Sequence, residues 1–94
     1  VSALVDGSGA IAVGGTPQQI FAANANRKFL EIYNLYSSNE ILAVSFGAGA
    51  NLDTAGVFEL VPGGSLRYDG TGVDNRAVFV VGATAGHKFT ARQV

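Results

Sequence analysis

The chain has 94 residues, enough for one domain, and 48% of them are hydrophobic while only 14% are charged. Its six lysines and arginines are scattered and the net charge is −1, which argues against nucleic acid as a partner. The sequence has no cysteine, so disulfides and thiolate metal sites are excluded, and no apolar run of about 20 residues predicts a membrane span.

The low charge content indicates that part of the surface is covered by other protein. An average soluble domain has about 25% charged residues, and a domain this small has a thin margin of stability as an isolated monomer. We therefore expect the chain to form a homo-oligomer. The alternative that stays open is that alanine and glycine raise the hydrophobic count without forming adhesive patches.

Residues 1–9 are predicted to form a flexible N-terminal arm, and residues 10–94 a single β domain. The sequence Asp6-Gly7-Ser8-Gly9 has the composition of a flexible joint. The residues before this joint are unusually apolar for a solvated tail. The arm is therefore a candidate anchor that orders on a neighbouring subunit, through Val1, Leu4 and Val5.

Residues 27–47 are predicted to form a hairpin of two antiparallel strands, around which the rest of the domain is arranged. The second arm alternates large apolar with small residues, as expected of a strand with one core face. The first arm is apolar on both faces, with Leu30 and Ile32 on one of them. Its other face supplies candidate contacts between subunits, namely Phe29, Glu31 and Tyr33.

Shorter strands and turns fill the rest of the chain. Residues 47–56 contain three glycines and three alanines and are predicted to be the longest loop. Residues 76–83 form an almost continuous apolar strand, which adds Phe79 and Val81 to the candidate interface. The pattern predicts an all-β, single-domain antiparallel β-sandwich or jelly roll of about eight short strands.

Residues suited to catalysis or metal binding are few. His87 is the only histidine, and it falls in a predicted hairpin arm where a structural role is expected. Glu31 interrupts an apolar row and is expected to pair with an arginine across a strand or subunit boundary. The loop aspartates lack the ligand spacing of a calcium loop. We therefore predict that the chain is not an enzyme and holds neither a metal nor a cofactor.

Aromatic residues leave a second class of function open. Tyrosine rings receive the faces of sugars, and arginine donates hydrogen bonds to sugar hydroxyls. The residues that could form such a surface are Tyr33, Tyr36, Arg67 and Tyr68. Packing in a core or an interface is the more common role of such residues, and the chain has no tryptophan.

Five segments together resemble the small virion-associated β proteins encoded among the structural genes of tailed bacteriophages and prophages. They are GGTPQQ (14–19), RKFLEIYN (27–34), LAVSFG (42–47), PGGSL (62–66) and VGATAGHKFTA (81–91). The resemblance spans roughly residues 10–92 and consists of strand and turn patterns.

The resemblance implies a non-enzymatic virion protein that is attached to the capsid or tail as decoration, cement or fibre part. A capsid decoration protein is the leading hypothesis, and a homotrimer bound to the major capsid protein or another virion component is its expected assembly. The resemblance implies no catalytic residues. The alternative is a host-glycan-binding or tail-fibre recognition module, which would use exposed tyrosines and the loop at residues 47–56.

Overall fold

The computed structural model describes residues 4–70 and 72–94, which form two antiparallel β-sheets. The strands are β1 (Val5–Asp6), β2 (Gly9–Ala10), β3 (Gln18–Phe21), β4 (Phe29–Asn34), β5 (Leu42–Phe46), β6 (Phe58–Leu60), β7 (Ser65–Asp69), β8 (Val78–Gly82) and β9 (Lys88–Gln93). The one helical element in these ranges is a 3₁₀ turn at Tyr36–Ser38. No helix among the described residues is long and apolar enough to cross a membrane.

The strand order is that of a jelly roll. Sheet A has the order β1/β2, β9, β4, β7, and sheet B has the order β3, β8, β5, β6. Since β1 and β2 both pair with β9, they are two pieces of one edge strand, and each sheet has four strand positions. The pairs β1/β2 with β9, β3 with β8, β4 with β7 and β5 with β6 are nested from the chain ends inward. This nesting across two sheets confirms the predicted fold class.

The hairpin predicted for residues 27–47 is wrong. β4 pairs with β7 and β9 in sheet A, whereas β5 pairs with β6 and β8 in sheet B. The chain crosses between the sheets through the 3₁₀ turn, which ends at Asn39 in a left-handed conformation with a φ of 55°. Two consecutive strands with apolar inner faces can pair edge to edge or face each other across a core, and the alternation is the same in both cases.

The core lies between the two sheets and is built from the inward positions of the strands. Leu30 and Ile32 on β4 face Leu42 and Val44 on β5, and all four side chains are fully buried. The other members of this cluster are Ile11, Phe21, Phe46, Leu60, Val78, Val80, Phe89 and Ala91. Their burial is the main source of the folding free energy, because each large apolar side chain contributes about 1.5–3 kcal/mol when removed from water.

Two predicted turns have the expected geometry. The N–H of Gly64 donates to the carbonyl oxygen of Val61 at 2.7 Å, and Gly63 between them has a φ of +83°. The pair Pro62-Gly63 thus occupies the centre of a type II turn, where the second position favours glycine. Gly86 has a φ of +88° in the turn that joins β8 to β9.

The prediction of a flexible N-terminal arm is wrong for residues 5–9, since β1 and Gly9 of β2 pair with β9. Between them, the hydroxyl oxygen of Ser8 accepts a hydrogen bond from the N–H of Ala91 at 3.0 Å. The serine side chain thus takes the place of a backbone acceptor where the edge strand is interrupted. Val1 lies outside the described residues.

Candidate interaction surface

The outer face of sheet B is covered by the chain itself. Residues 47–57, the loop between β5 and β6, contact β5, β6, β8 and the turn that precedes β3. The N–H of Ala50 donates to the Ser45 hydroxyl at 3.2 Å, and the N–H of Asp53 donates to the Glu59 carboxylate at 3.0 Å. The Asn51 side chain donates to the carbonyl oxygen of Gly15 at 2.7 Å. Ser45 on the outer face of β5 is therefore buried beneath a loop of its own chain.

Two residues of the predicted subunit interface lie on this face. Val81 is buried, with 1% of its surface exposed, so its assignment to an interface is wrong. Phe79 is half-buried, and Gly49 of the loop lies so close that a Cβ atom there would be 3.4 Å from the phenyl ring. The apolar run of β8 is therefore explained by the core on one face and by the loop on the other.

The outer face of sheet A is the exposed sheet surface of the sandwich. Phe29, Glu31 and Tyr33 alternate with buried residues along β4, and all three are half-buried on the same face. The structure thus brings these three predicted interface residues together at the centre of one surface. We call the outer face of sheet A, with these residues at its centre, the open face.

A row of four charged residues crosses the open face from edge to edge. The strand register pairs Arg67 on β7 with Glu31 on β4, Glu31 with Arg92 on β9, and Arg92 with Asp6 on β1. Side chains of directly paired residues lie on the same face of a sheet. We call Arg67, Glu31, Arg92 and Asp6 the charge row, and its signs alternate from positive to negative.

Contacts within the chain hold the charge row in place. Two nitrogens of the Arg92 guanidinium lie 2.7 Å from one carboxylate oxygen of Glu31, which confirms the expected pairing of Glu31 with an arginine. The guanidinium of Arg67 lies over the Phe29 ring, 5.2 Å from its centroid. Hydrogen bonds from Ser8, aided by the charge of Arg92, lower the pKa of Asp6. The lowered pKa keeps Asp6 charged at neutral pH.

The edge strand of sheet A exposes apolar residues of the candidate anchoring arm. Leu4 and Val5 of the candidate anchoring arm are 52% and 48% exposed. Val5 pairs with Gln93, so this residue is fixed at the edge of the sheet. Any contact that these residues make with another molecule would therefore start from an ordered strand.

A buried polar network joins the two sheets at one end of the sandwich. The Asn34 side-chain nitrogen donates to the carbonyl oxygens of Glu40 and Leu60 at 2.8 and 2.9 Å. The Asn34 side-chain oxygen accepts a hydrogen bond from the Ser38 hydroxyl at 2.9 Å and lies 2.7 Å from Nε2 of His87. Because both hydrogens of the amide are used on carbonyls, its oxygen is the group that faces the imidazole.

His87 is the residue that ties this network to a carboxylate. Its Nδ1 lies 2.7 Å from a carboxylate oxygen of Glu40, and the imidazole is buried. Each ring nitrogen thus faces a side-chain oxygen, that of Glu40 on one side and that of Asn34 on the other. Burial opposes ionisation of Glu40, but hydrogen bonds from His87 and Thr84 outweigh it, and the pKa of this carboxyl is lowered.

A cavity of about 350 Å³ opens beside this network and is lined by Ser37, Ser38, Glu40, Thr84, Ala85, Gly86, His87 and Lys88. This network was not predicted from the sequence. The feature of the sequence that indicates it is Asn34, a polar residue at the next inward position after Leu30 and Ile32 on the same strand. A buried asparagine requires hydrogen-bond partners, but the strand pattern does not say which segments supply them.

Arg27 is a second buried polar residue that the sequence did not reveal. Its guanidinium donates four hydrogen bonds, to the Gln93 side chain and to the carbonyl oxygens of Asp74, Arg76 and Ala22, at 2.7 to 2.9 Å. Burial lowers its pKa, and the nearby charge of Asp74 opposes this shift. Three of its acceptors are backbone carbonyl groups. Arg27 therefore fixes the path of the loop after β3 and of the loop before β8.

No cluster of three or more potential metal ligands occurs in the part of the chain that the structure describes. The chain matches no protein-family model, and no curated protein or solved structure shows significant similarity to it. Any conclusion about function therefore depends on the fold and on the surfaces described above.

Proposed function

We propose that this chain is a non-enzymatic structural protein of a tailed-bacteriophage virion, most specifically a homo-oligomeric protein that decorates or cements the capsid. The observation that supports the proposal is the open face, a sheet surface with two aromatic residues at its centre. Sheet B offers no comparable surface, because its outer face is covered by residues 47–57. Jelly rolls are common in viral capsid proteins, but a fold hosts many functions, so the argument depends on the surface.

The mechanism is packing of the open face against protein, with no chemical step. Phe29 and Tyr33 are half-buried, so each retains apolar area that a partner can cover. Aromatic side chains are enriched at interfaces because they bury a large area at a low cost in side-chain entropy. The charge row between them provides orientation, since charges that meet unlike charges fix the register of an interface.

A pair of tyrosine variants tests this proposal. Tyr33→Glu places a charge at the centre of the open face, and we expect it to abolish both the oligomer and the binding to purified capsids. Tyr36→Glu is the matched control, because Tyr36 is 78% exposed but lies in the turn that follows β4, away from the face. Light scattering measures the native mass, and co-sedimentation with capsids measures binding. A native mass and capsid binding unchanged by Tyr33→Glu would refute the proposal.

A second candidate function is recognition of a host glycan. The observation that favours it is the exposed ring of Tyr36, which is adjacent in sequence to Ser37 and Ser38 of the cavity wall. Sugars bind by stacking on exposed rings and by hydrogen bonds to polar side chains. This function predicts glycan-array binding that Tyr36→Ala abolishes and Tyr33→Glu preserves, which is the reverse of the pattern expected for the structural role. An array without binding would exclude it.

A further inference from the structure

We infer that the partner of the open face is a second copy of this chain, related by a two-fold axis that runs along the strands between β4 and β9. The inference rests on the proposed function, since it specifies how the oligomer forms. Its basis is the order of the signs in the charge row, which reads positive, negative, positive, negative across the four strands.

The row is complementary to itself over its full length under one rotation only. A two-fold axis parallel to the strands and midway along the row reverses its order in the second copy. Arg67 then faces Asp6 of the other copy, and Glu31 faces its Arg92, so unlike charges meet at every position. An axis perpendicular to the strands would instead place each residue opposite itself, with like charges in contact at every position.

The neighbouring residues fit the same rotation. On β4, Tyr33 pairs with Thr90 of β9, so the rotation places the tyrosine ring over Thr90 of the other copy. At the other side of the row, Phe29 is hydrogen-bonded to Val94, and the rotation brings the phenyl ring over that valine. No like charges meet at either level, and both aromatic rings are placed over uncharged side chains.

This arrangement is an isologous contact between two sheets whose strands are aligned. Sheets that pack face to face keep their strands within about 30° of one another, which the chosen axis allows. The contact joins two copies, so it differs from the trimer expected from the sequence resemblance. A native mass of two chains supports the inference, whereas a mass of three chains overturns it.

Two charge reversals test the contact between the two copies. They do so independently of the Glu31–Arg92 ion pair within each chain. Glu31→Arg alone makes the centre of the row positive, and Arg92→Glu alone makes it negative. Each variant should therefore repel its own copies, and we expect the dissociation constant to rise by roughly 100-fold or more, since two like-charge contacts replace two unlike ones.

An equimolar mixture of the two variants provides the decisive measurement. In the mixed pair all four positions carry opposite charges again, although the Glu31–Arg92 pair remains broken within each chain. We expect the mixture to form a dimer at concentrations where each variant alone is monomeric, with an affinity that falls as salt is added. Native mass spectrometry distinguishes the mixed pair from either homodimer, and circular dichroism confirms that both variants are folded.

The outcomes separate the failure of this inference from failure of the proposed function. An oligomeric wild type whose mass is unchanged by either reversal, or variants whose mixture stays monomeric, would overturn the two-fold contact and leave an oligomer of another geometry. A wild type that is monomeric at all concentrations, and that still binds capsids, would overturn the two-fold contact and leave the virion role. A monomer that does not bind capsids would overturn both.

Discussion

The replacement Asn34→Ala should destabilise the domain severely, although Asn34 lies outside every proposed interface. Truncation removes the two donors that serve the carbonyl oxygens of Glu40 and Leu60, and the acceptor that faces Nε2 of His87. The Leu60 contact and the His87 contact are buried. A buried polar group that loses its partner costs about 1–3 kcal/mol, so the total should be about 3–5 kcal/mol.

This loss is large compared with the whole free energy of unfolding, which is about 5–15 kcal/mol for a domain. Urea unfolding followed by circular dichroism measures it, with an unchanged slope showing that the variant unfolds from the same compact state. The exposed Asn26 provides the control, and Asn26→Ala should cost less than about 0.5 kcal/mol. A cost below about 1 kcal/mol for Asn34→Ala would refute the network described here.

Three further predictions concern the same structure. The folded state lowers the pKa of Glu40, so this residue contributes stability above its unfolded value of about 4.3, and this contribution is lost as the pH falls through the folded pKa. Thermal melts of Glu40→Gln should therefore depend less on pH than the wild type in the acid range, and equal dependence would contradict the assignment. Gly82→Ala would place a Cβ atom 2.8 Å from Nδ1 of the immobilised His87 and should cost about 1–3 kcal/mol, whereas Gly9→Ala, where the nearest atom is 3.8 Å away, should not. Arg27→Met should cost about 3 kcal/mol in urea unfolding, because it leaves three partly buried carbonyl oxygens without donors, and a cost near zero would refute that role.

Much of the local structure could be predicted from the sequence because it depends on short-range chemistry. The alternation around Leu30 and Ile32 identifies a strand and its inner face, and Pro62-Gly63 specifies its own turn. The predicted association of Phe29 and Tyr33 on one face likewise follows from the two-residue period of a strand. The ordered edge strand at Val5 was missed, because a flexible composition does not exclude pairing when a neighbouring strand supplies partners.

The candidate site was predicted only in part, and the errors have one origin. Val81 was assigned to an interface because its strand is apolar on both sides. A sequence does not show whether an apolar outer face is covered by a second subunit or by a loop of the same chain. Here the loop at residues 47–57 contacts Phe79 and Ser45 on that face, and Val81 and Ala43 are buried within the single chain.

The sequence by itself determined that this protein is an all-β sandwich, where its main turns fall and which residues of each strand share a face. These properties follow from the strand period and from backbone preferences that act within a few residues. The tertiary structure alone decided that β4 and β5 lie in different sheets, that His87 meets Glu40 and that the charge row alternates in sign across four strands. Each of these depends on strand pairing between distant segments, and that pairing is selected by the packing of the whole core.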